Sequence, residues 1–295
     1  MTGASGFVGG AVATALADDG HDVTAFGRRA GGWSHPAARY ERWDITRGVR
    51  ALDVDVVVHC AALADDRAPL GDAMLANQLG TRMVLHSAGA ARFVHISTAS
   101  VYDAFTPNVK VRESEAPVSR FLGSYAESKT AAEFELHNVG AVILRPHAVY
   151  GPGDTTLLPR IMAGIRGNRL VLPEGARVIH TLTHIQNLVD AVRVSIRPTA
   201  PPGIYNIGDD TDVLLSAVLA EFLARRGRAD VAIVRVPYAI AFAAAGVLER
   251  VPGEPRITRY AVSQLGMERT LDLTAARDSL GYRPRPTSLS GAEEW

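Results

Sequence analysis

Tyr125 and Lys129 stand four residues apart in Tyr125-Ala126-Glu127-Ser128-Lys129, so on a helix their side chains share a face. An ammonium beside a phenol draws the phenol's pKa down from its usual value of about 10. A phenol tuned in this way can give or take a proton near neutral pH. Thr98 follows the apolar run Arg92-Phe93-Val94-His95-Ile96 and Ser97, at what would be the C-terminal end of a strand. Ligands of open α/β sheets bind at that end. A hydroxyl there can donate to the same substrate oxygen with which the tyrosine exchanges its proton. Of 31 basic residues only Lys110 and Lys129 are lysines, which gives weight to where each one falls. By itself Tyr-x-x-x-Lys describes many exposed helix pairs, so its meaning depends on the elements around it.

The first of these elements is the opening stretch Thr2-Gly3-Ala4-Ser5-Gly6-Phe7-Val8-Gly9-Gly10, which runs into the Ala-rich helical pattern Ala11–Ala17. Glycines at this spacing let backbone N–H groups approach a diphosphate, and the helix N-terminus adds partial positive charge. Gly3, Ser5, Gly6, Phe7, Val8 and Gly9 are therefore candidate dinucleotide contacts. A strand should precede such a loop. The expectation is that Met1 is not the natural start and that roughly 5 to 10 residues of apolar strand are missing.

His21–Phe26 reads as the next strand and ends at Gly27-Arg28-Arg29. An acidic residue here would suit the ribose 2′-hydroxyl of NAD, whereas arginines suit a 2′-phosphate, so Arg28 and Arg29 point to NADP, with NAD as the other possibility. Arg39–Trp43 is a third strand, followed by Asp44-Ile45, where a carboxylate can accept from an adenine amino group. Asp53–Cys60 carries the β-branched run of a buried parallel strand and ends in Ala61-Ala62, small enough for a cofactor to lie against the backbone. Helical sequence from Leu70 to Gly89 carries Asn77. Strand and helix patterns alternate throughout, which implies a parallel sheet covered by helices on both faces.

The 295 residues carry no net charge, with 31 acidic residues against 31 basic ones, and no basic patch or acidic tail suggests nucleic acid. The single cysteine, Cys60, excludes an internal disulfide or a Cys-rich metal site. His147, His180 and His184 lack a carboxylate or cysteine at ligand spacing, so no metal is expected. Without a signal peptide or an 18-residue apolar run, the chain reads as cytoplasmic, with no integral membrane segment. Pro237–Val247 is almost continuously apolar; it reads as a buried helix of a small lobe, or as the wall of an apolar pocket or a patch on a membrane surface.

Over nearly its whole length the chain resembles the extended short-chain dehydrogenases/reductases. The correspondences are Thr2-Gly3-x-x-Gly6-x-x-Gly9, Asp44-Ile45, His59-Cys60-Ala61-Ala62, Asn77, Ser97-Thr98, Tyr125-x-x-x-Lys129, and Leu144-Arg145-Pro146 through Tyr150-Gly151-Pro152-Gly153-Asp154. The resemblance implies a doubly wound Rossmann parallel sheet over residues 1–154, with 181–210 returning to it. A small C-terminal substrate-binding lobe would be built from 155–180 and 211–295. It further implies that Thr98, Tyr125 and Lys129 are catalytic and that Lys129 also holds the nicotinamide ribose. Leu63, Asn77 and Ser97 are expected at the cofactor, and Pro146, His147 and Val149 against the nicotinamide. Ala99-Ser100 after Thr98 departs from the Asp-Glu pair of sugar-nucleotide dehydratases. His180 occupies the place where sugar-nucleotide epimerases usually carry an arginine for the diphosphate. The segment from Ile179 to Ala191 and the ending from Asp272 to Pro284 are closer to the 3β-hydroxysteroid dehydrogenase branch. The expected function is alcohol–ketone interconversion on a large apolar, steroid-like or polyketide-like small molecule. A sugar-nucleotide 4-epimerase or reductase and a non-catalytic NADP-binding regulator are the alternatives. A homodimer through the helices of Tyr125 and Asn77 is also implied.

Overall fold

The computed structural model describes residues 1–251 and 257–295. Its centre is a parallel sheet built from β1 (Thr24–Gly27), β2 (Arg39–Arg42), β3 (Val56–His59), β4 (Arg92–Ile96) and the strands Val142–Pro146 and Gly203–Ile207. β2 pairs with β1, β3 with β4, β4 with Val142–Pro146, and that strand with Gly203–Ile207. The seam between β1 and β3 is closed by the first residues of the chain. Thr2 bridges Phe26 on one side and His59 on the other, both in parallel. Thr2 N–H donates to Val58 O at 3.0 Å and Ala4 N–H to Phe26 O at 3.1 Å. Taking Met1–Ala4 as the first strand, the order is that of a dinucleotide-binding doubly wound sheet, with its topological switch beside Thr2.

The strands are shorter than the sequence pattern suggests, because ladder partners and not propensity set their ends. β1 begins at Thr24 rather than His21, where Arg39 and the Met1 amine first reach it. β3 begins at Val56 rather than Asp53, opposite Arg92. Helix α1 (Phe7–Asp18) packs with Ile185–Ser195 on one face through Val12, Ala13, Leu16, Leu188 and Val192. On the other face lie α2 (Leu70–Ala73), a π-helical stretch Met74–Leu79, α3 (Gly80–Ala88) and α4 (Ser124–Glu135). There Val84 and Ala88 of α3 and Leu136 just after α4 meet Phe93 and Ile143 of the sheet.

A second apolar cluster joins Leu158, Ile161, Leu170, Leu172, Leu182, Leu219, Phe222 and Leu289 beyond the C-terminal ends of the strands. The apolar Tyr238–Leu248 helix departs from expectation. It buries only Ala241 and Ala245, leaves Ile240 and Val247 about three-fifths exposed, and no residue of it lines the central cavity. It is neither a buried helix nor a pocket wall, because it packs by one narrow face on the helix Arg259–Gly266. Among the described residues no helix is long and apolar enough to cross a membrane, and no group of three His, Cys, Asp or Glu is placed to hold a metal.

Candidate active site

The strand ends open onto a cavity of about 1120 Å³, roomy against the usual range for small-molecule sites. At one end the glycine loop turns tightly: Gly3 has φ +78°, and Gly6 N–H donates back to Gly3 O at 3.0 Å. A side chain at Gly9 would place its Cβ 2.1 Å from Gly3 O, and one at Gly3 would meet Ala61 N at 2.6 Å. Only glycine lets loop, helix and strand approach this closely. No side chain caps the N-terminus of α1, leaving its positive end to the cavity. Arg28 and Arg29 border the same end; Arg29 donates to Ser5 O at 2.6 Å. Asp44 is held by the backbone N–H and hydroxyl of Thr46, which keep its carboxyl below the usual range. These groups suit a dinucleotide: donors and a helix end for the diphosphate, a carboxylate for the base.

Deeper in, Ser97 and Thr98 follow the end of β4, and α4 presents Tyr125 and Lys129. Thr98 lines the cavity beside Tyr125, close enough to act on its phenol. The influence of Lys129 on Tyr125 differs from the sequence expectation. Lys129 Nζ turns away beneath the cavity floor, to His95 Nε2 at 2.9 Å and Ile96 O at 2.7 Å. Burial therefore raises the Tyr125 phenol above its ordinary value, and it is Thr98, not the ammonium, that pulls against the rise. Lys129 itself is drawn down to about 8 by burial, opposed by Glu133 one turn on. Glu133 is bound in turn to Arg145 at 2.6 and 3.0 Å, a buried pair that fixes α4 to the sheet.

Every residue expected at the site lines this one cavity except Asn77: Gly3, Ser5, Gly6, Phe7, Val8, Gly9, Arg28, Arg29, Asp44, Ile45, Ala61, Ala62, Leu63, Ser97, Thr98, Tyr125, Lys129, Pro146, His147 and Val149. Asn77 is fully buried behind the wall. It accepts from Leu63 N–H at 2.7 Å and donates to Leu63 O and to Ser128 Oγ, clamping the loop after β3 to α4. Its role in the fold is to hold cavity-lining residues in place.

The far end is largely apolar and comes from elements that carry no motif, Leu157, Ile161, Leu182, Leu215, Tyr260 and Leu265, with Gln264 and the ion pair Arg160–Asp66 among them. His180 reaches this end too. Its Nε2–H donates to Met267 O at 3.2 Å, so its Nδ1 accepts from His147 Nε2 at 3.2 Å. Burial holds both imidazoles neutral, His180 at about 4 and His147 well below its ordinary value. Sequence reasoning missed Ser100 and Tyr260 as part of the site. Ser100 adjoins the Ser-Thr pair, but Tyr260 lies 160 residues away, where nothing local marks it.

Residues 1–208 match the model of the NAD dependent epimerase/dehydratase family. A ketoreductase of Stigmatella aurantiaca, described as acting on 4-hydroxy-2-methyl-3-oxo-4-farnesyl-3,4-dihydroquinoline-1-oxide, is 30% identical over 99% of this chain and 94% of its own. A 3-beta-hydroxysteroid dehydrogenase of Mycolicibacterium neoaurum is 25% identical over 100% of this chain and 89% of its own. The UDP-glucuronic acid 4-epimerase of Bacillus cereus, solved in complex with NAD, superposes with a TM-score of 0.76 over 99% of this chain and 93% of its own. At 21% identity that likeness speaks for the fold alone. With the glycine loop, the switch-point cavity and the whole-length relatives taken together, the chain belongs to the NAD dependent epimerase/dehydratase family, in its extended short-chain dehydrogenase/reductase form.

Proposed function

We propose that the protein is an NAD(P)-dependent oxidoreductase that interconverts a secondary alcohol and a ketone on a large apolar substrate. One observation carries this reading: Tyr125 and Thr98 line one cavity whose one end is the glycine loop and whose other end is largely apolar. A bound nicotinamide would supply or accept the hydride. In reduction Tyr125 gives its proton to the carbonyl oxygen as that oxygen gains charge, and Thr98 donates a hydrogen bond to it. In oxidation Tyr125 takes the proton back. Lys129 would hold the nicotinamide ribose with the ammonium proton that His95 and Ile96 O leave free, and Asn77 holds the Leu63 loop in place. Two relatives named for ketone or steroid chemistry support an apolar substrate. The sugar-nucleotide reading is disfavoured by His180, a neutral imidazole where a diphosphate needs a cation. The test is net oxidation of added NADPH or NADH with bulky cyclic ketones, against UDP-sugars as the alternative. Turnover with ketones alone is the expected result; epimerisation of a UDP-sugar without net cofactor turnover would overturn it.

The cofactor is NADP in this proposal, because β1 ends in Gly27 followed by Arg28 and Arg29, with no acidic residue at that strand end. A hydrogen bond between charged groups contributes about 1.5–3 kcal/mol, or roughly 10- to 100-fold in affinity. Arg28→Ala with Arg29→Ala is expected to weaken NADPH binding by about that factor and leave NADH unchanged, read by fluorescence titration. Equal loss for both nucleotides would mean the arginines serve the loop, through Ser5 O, and not the 2′-phosphate.

A homodimer through α4 and the Asn77 helix is part of the same reading. Phe134 is 60% exposed on α4 and Leu75 is 46% exposed beside Asn77. Phe134→Glu is expected to shift the mass measured by light scattering from dimer to monomer; a monomeric parent protein would remove this part of the proposal.

A further inference from the structure

Three arginines of this chain grip a carboxylate squarely, through the Nε–H and Nη2–H edge of the guanidinium. Arg82 holds Glu135 in this way at 2.8 and 2.7 Å, Arg145 holds Glu133 at 3.0 and 2.6 Å, and Arg193 holds Asp19 at 2.7 and 2.8 Å. Arg160 does not. It meets Asp66 through Nη1 alone, at 2.8 Å, and its Nε–H and Nη2–H groups make no hydrogen bond to any described residue. Arg160 stands on the helix Leu157–Ala163 and lines the central cavity with Leu157 and Ile161 of the same helix. We propose that the free edge of Arg160 docks a carboxylate of the substrate, so that the substrate is an apolar keto or hydroxy acid whose carboxylate lies away from the reacting carbon. This inference rests on the alcohol–ketone reading of the cavity.

Asp66 aims the guanidinium. Its side chain is 3% exposed, against 49% for Arg160, and its second oxygen accepts from the hydroxyl of Thr258, the cap of the helix Arg259–Gly266. Asp66 is thus spent on two elements of the substrate end, and Nη1 of Arg160 is spent on Asp66. With one corner tied, the guanidinium keeps four of its five protons, and two of them form the fork that matches the two oxygens of a carboxylate. A wholly apolar substrate filling the cavity would strip this fork of water and leave it unpaired, which opposes binding. A carboxylate on the substrate turns the same fork into a pair of charge-assisted hydrogen bonds.

The charge around the site favours one further anion. Arg269 is 3% exposed and forms no ion pair with a described residue. It donates to the carbonyls of Asp103, Ala104 and Thr106 and to the Ser263 hydroxyl, while its buried Nε finds no partner. Its charge acts on His147 and His180 of the cavity wall and on Tyr260, which also feels Asp66. Asp103, which acts on Arg269, is paired with Arg120 at 3.5 Å, and Asp65 is bridged by Arg67 at 3.2 Å. The other carboxylates of the cavity wall are Asp44 at the nucleotide end and the exposed Asp72. Around Tyr260, then, the charges of Arg160 and Arg269 stand against the single charge of Asp66, and a substrate carboxylate balances them. A diphosphate would bring more charge than one free fork can pair.

The test is calorimetric titration of the protein, with NADP+ present, with octadecanoic acids carrying an oxo group at successive positions along the chain, each against its methyl ester. The KM for NADPH-dependent reduction is then measured for the same compounds. For the oxo position that reaches Tyr125, the acid is expected to bind roughly 10- to 100-fold more tightly than the ester. Arg160→Gln is expected to bring that acid to the affinity of its ester. Arg160→Lys keeps the charge but not the fork, and should recover only a small part of the preference. Equal binding of acid and ester at every position, or an acid preference that survives Arg160→Gln, would overturn the proposal. If Arg160→Gln fails to fold, an undiminished acid preference in Arg160→Lys overturns it equally. Acids bound selectively through Arg160 but never reduced would sink the oxidoreductase reading and leave the carboxylate site standing. Esters reduced as readily as acids, with equal affinities, would do the reverse.

Discussion

Tyr125→Phe is expected to lower kcat for ketone reduction by about a thousandfold, within the range that general acid–base groups contribute. The substitution removes one oxygen and keeps the ring, so the packing of α4 on the sheet is unchanged. The nucleotide end, with Gly3, Gly9 and the N-terminus of α1, lies outside its reach. NADPH affinity by fluorescence titration should therefore stay within about twofold, a change of less than 0.5 kcal/mol. The loss should be in kcat and kcat/KM together, because Tyr125 acts on charge that develops in the transition state. Full activity in the variant would overturn the mechanism. A parent protein that binds NADPH tightly yet turns over neither ketones nor UDP-sugars would favour the non-catalytic regulator. The prediction is large because the neighbouring donors are already engaged: Lys129 is held below the floor by His95 and Ile96 O, and the Tyr260 phenol is bonded to Ser100.

What could be read from the chain divides along a physical line. The glycine loop, the Ser97-Thr98 pair and the Tyr125–Lys129 spacing are local patterns, and the sheet topology that gathers them follows from alternating strands and helices. Three features escaped because tertiary neighbours decide them. The strands are trimmed to the residues their partners reach, at Thr24 and Val56. Lys129 is turned by an acceptor pair, His95 Nε2 and Ile96 O, that no i,i+4 argument contains. Tyr260 joins the site from the substrate end, where no fixed spacing connects it to Thr98. The Tyr238–Leu248 helix shows the opposite failure: its composition says buried, but among the described residues its packing covers only the Ala241 and Ala245 side. Asn77 shows a third kind. Its position matches a family motif, yet its amide binds Leu63 and Ser128, so it shapes the cavity from behind without lining it.

The second large effect is on stability. The protein is expected to lose most of its folding free energy between pH 6.5 and about pH 5, because four buried imidazoles must stay neutral for the fold to persist. His59 accepts from the Thr2 hydroxyl at 2.7 Å and lies 3.0 Å from Thr81 Oγ1, whose own proton goes to Asn77 O, so His59 Nε2 is the donor there. His95 accepts from the Lys129 ammonium, and its ring lies 5.2 Å from that of His59. His147 and His180 donate in sequence toward Met267 O. A second proton on any ring would meet either a donor or apolar surroundings. Burial accordingly depresses all four: His59 to about 3, His180 to about 4, and His95 and His147 well below the ordinary value. In the unfolded chain each would titrate near 6.5. The unfolded state thus binds more protons in this window, and stability rises with pH across it. The contribution is fully present above about 6.5 and is lost as pH falls toward the folded values. At pH 5 His59 and His180 together cost about 4 kcal/mol, a large part of the 5–15 kcal/mol that holds a domain folded, and His95 and His147 add in the same direction. Carboxylates titrate mostly below this window, whereas Lys129, lowered to about 8, binds fewer protons folded than unfolded and gives the midpoint a rise with pH near pH 8. The imidazoles should add a second, steeper fall of the urea midpoint from about pH 6.5 to pH 5. A midpoint without that fall would mean that these rings accept protons in the folded state, and that the His95–Lys129 and His147–His180 contacts rearrange to admit them.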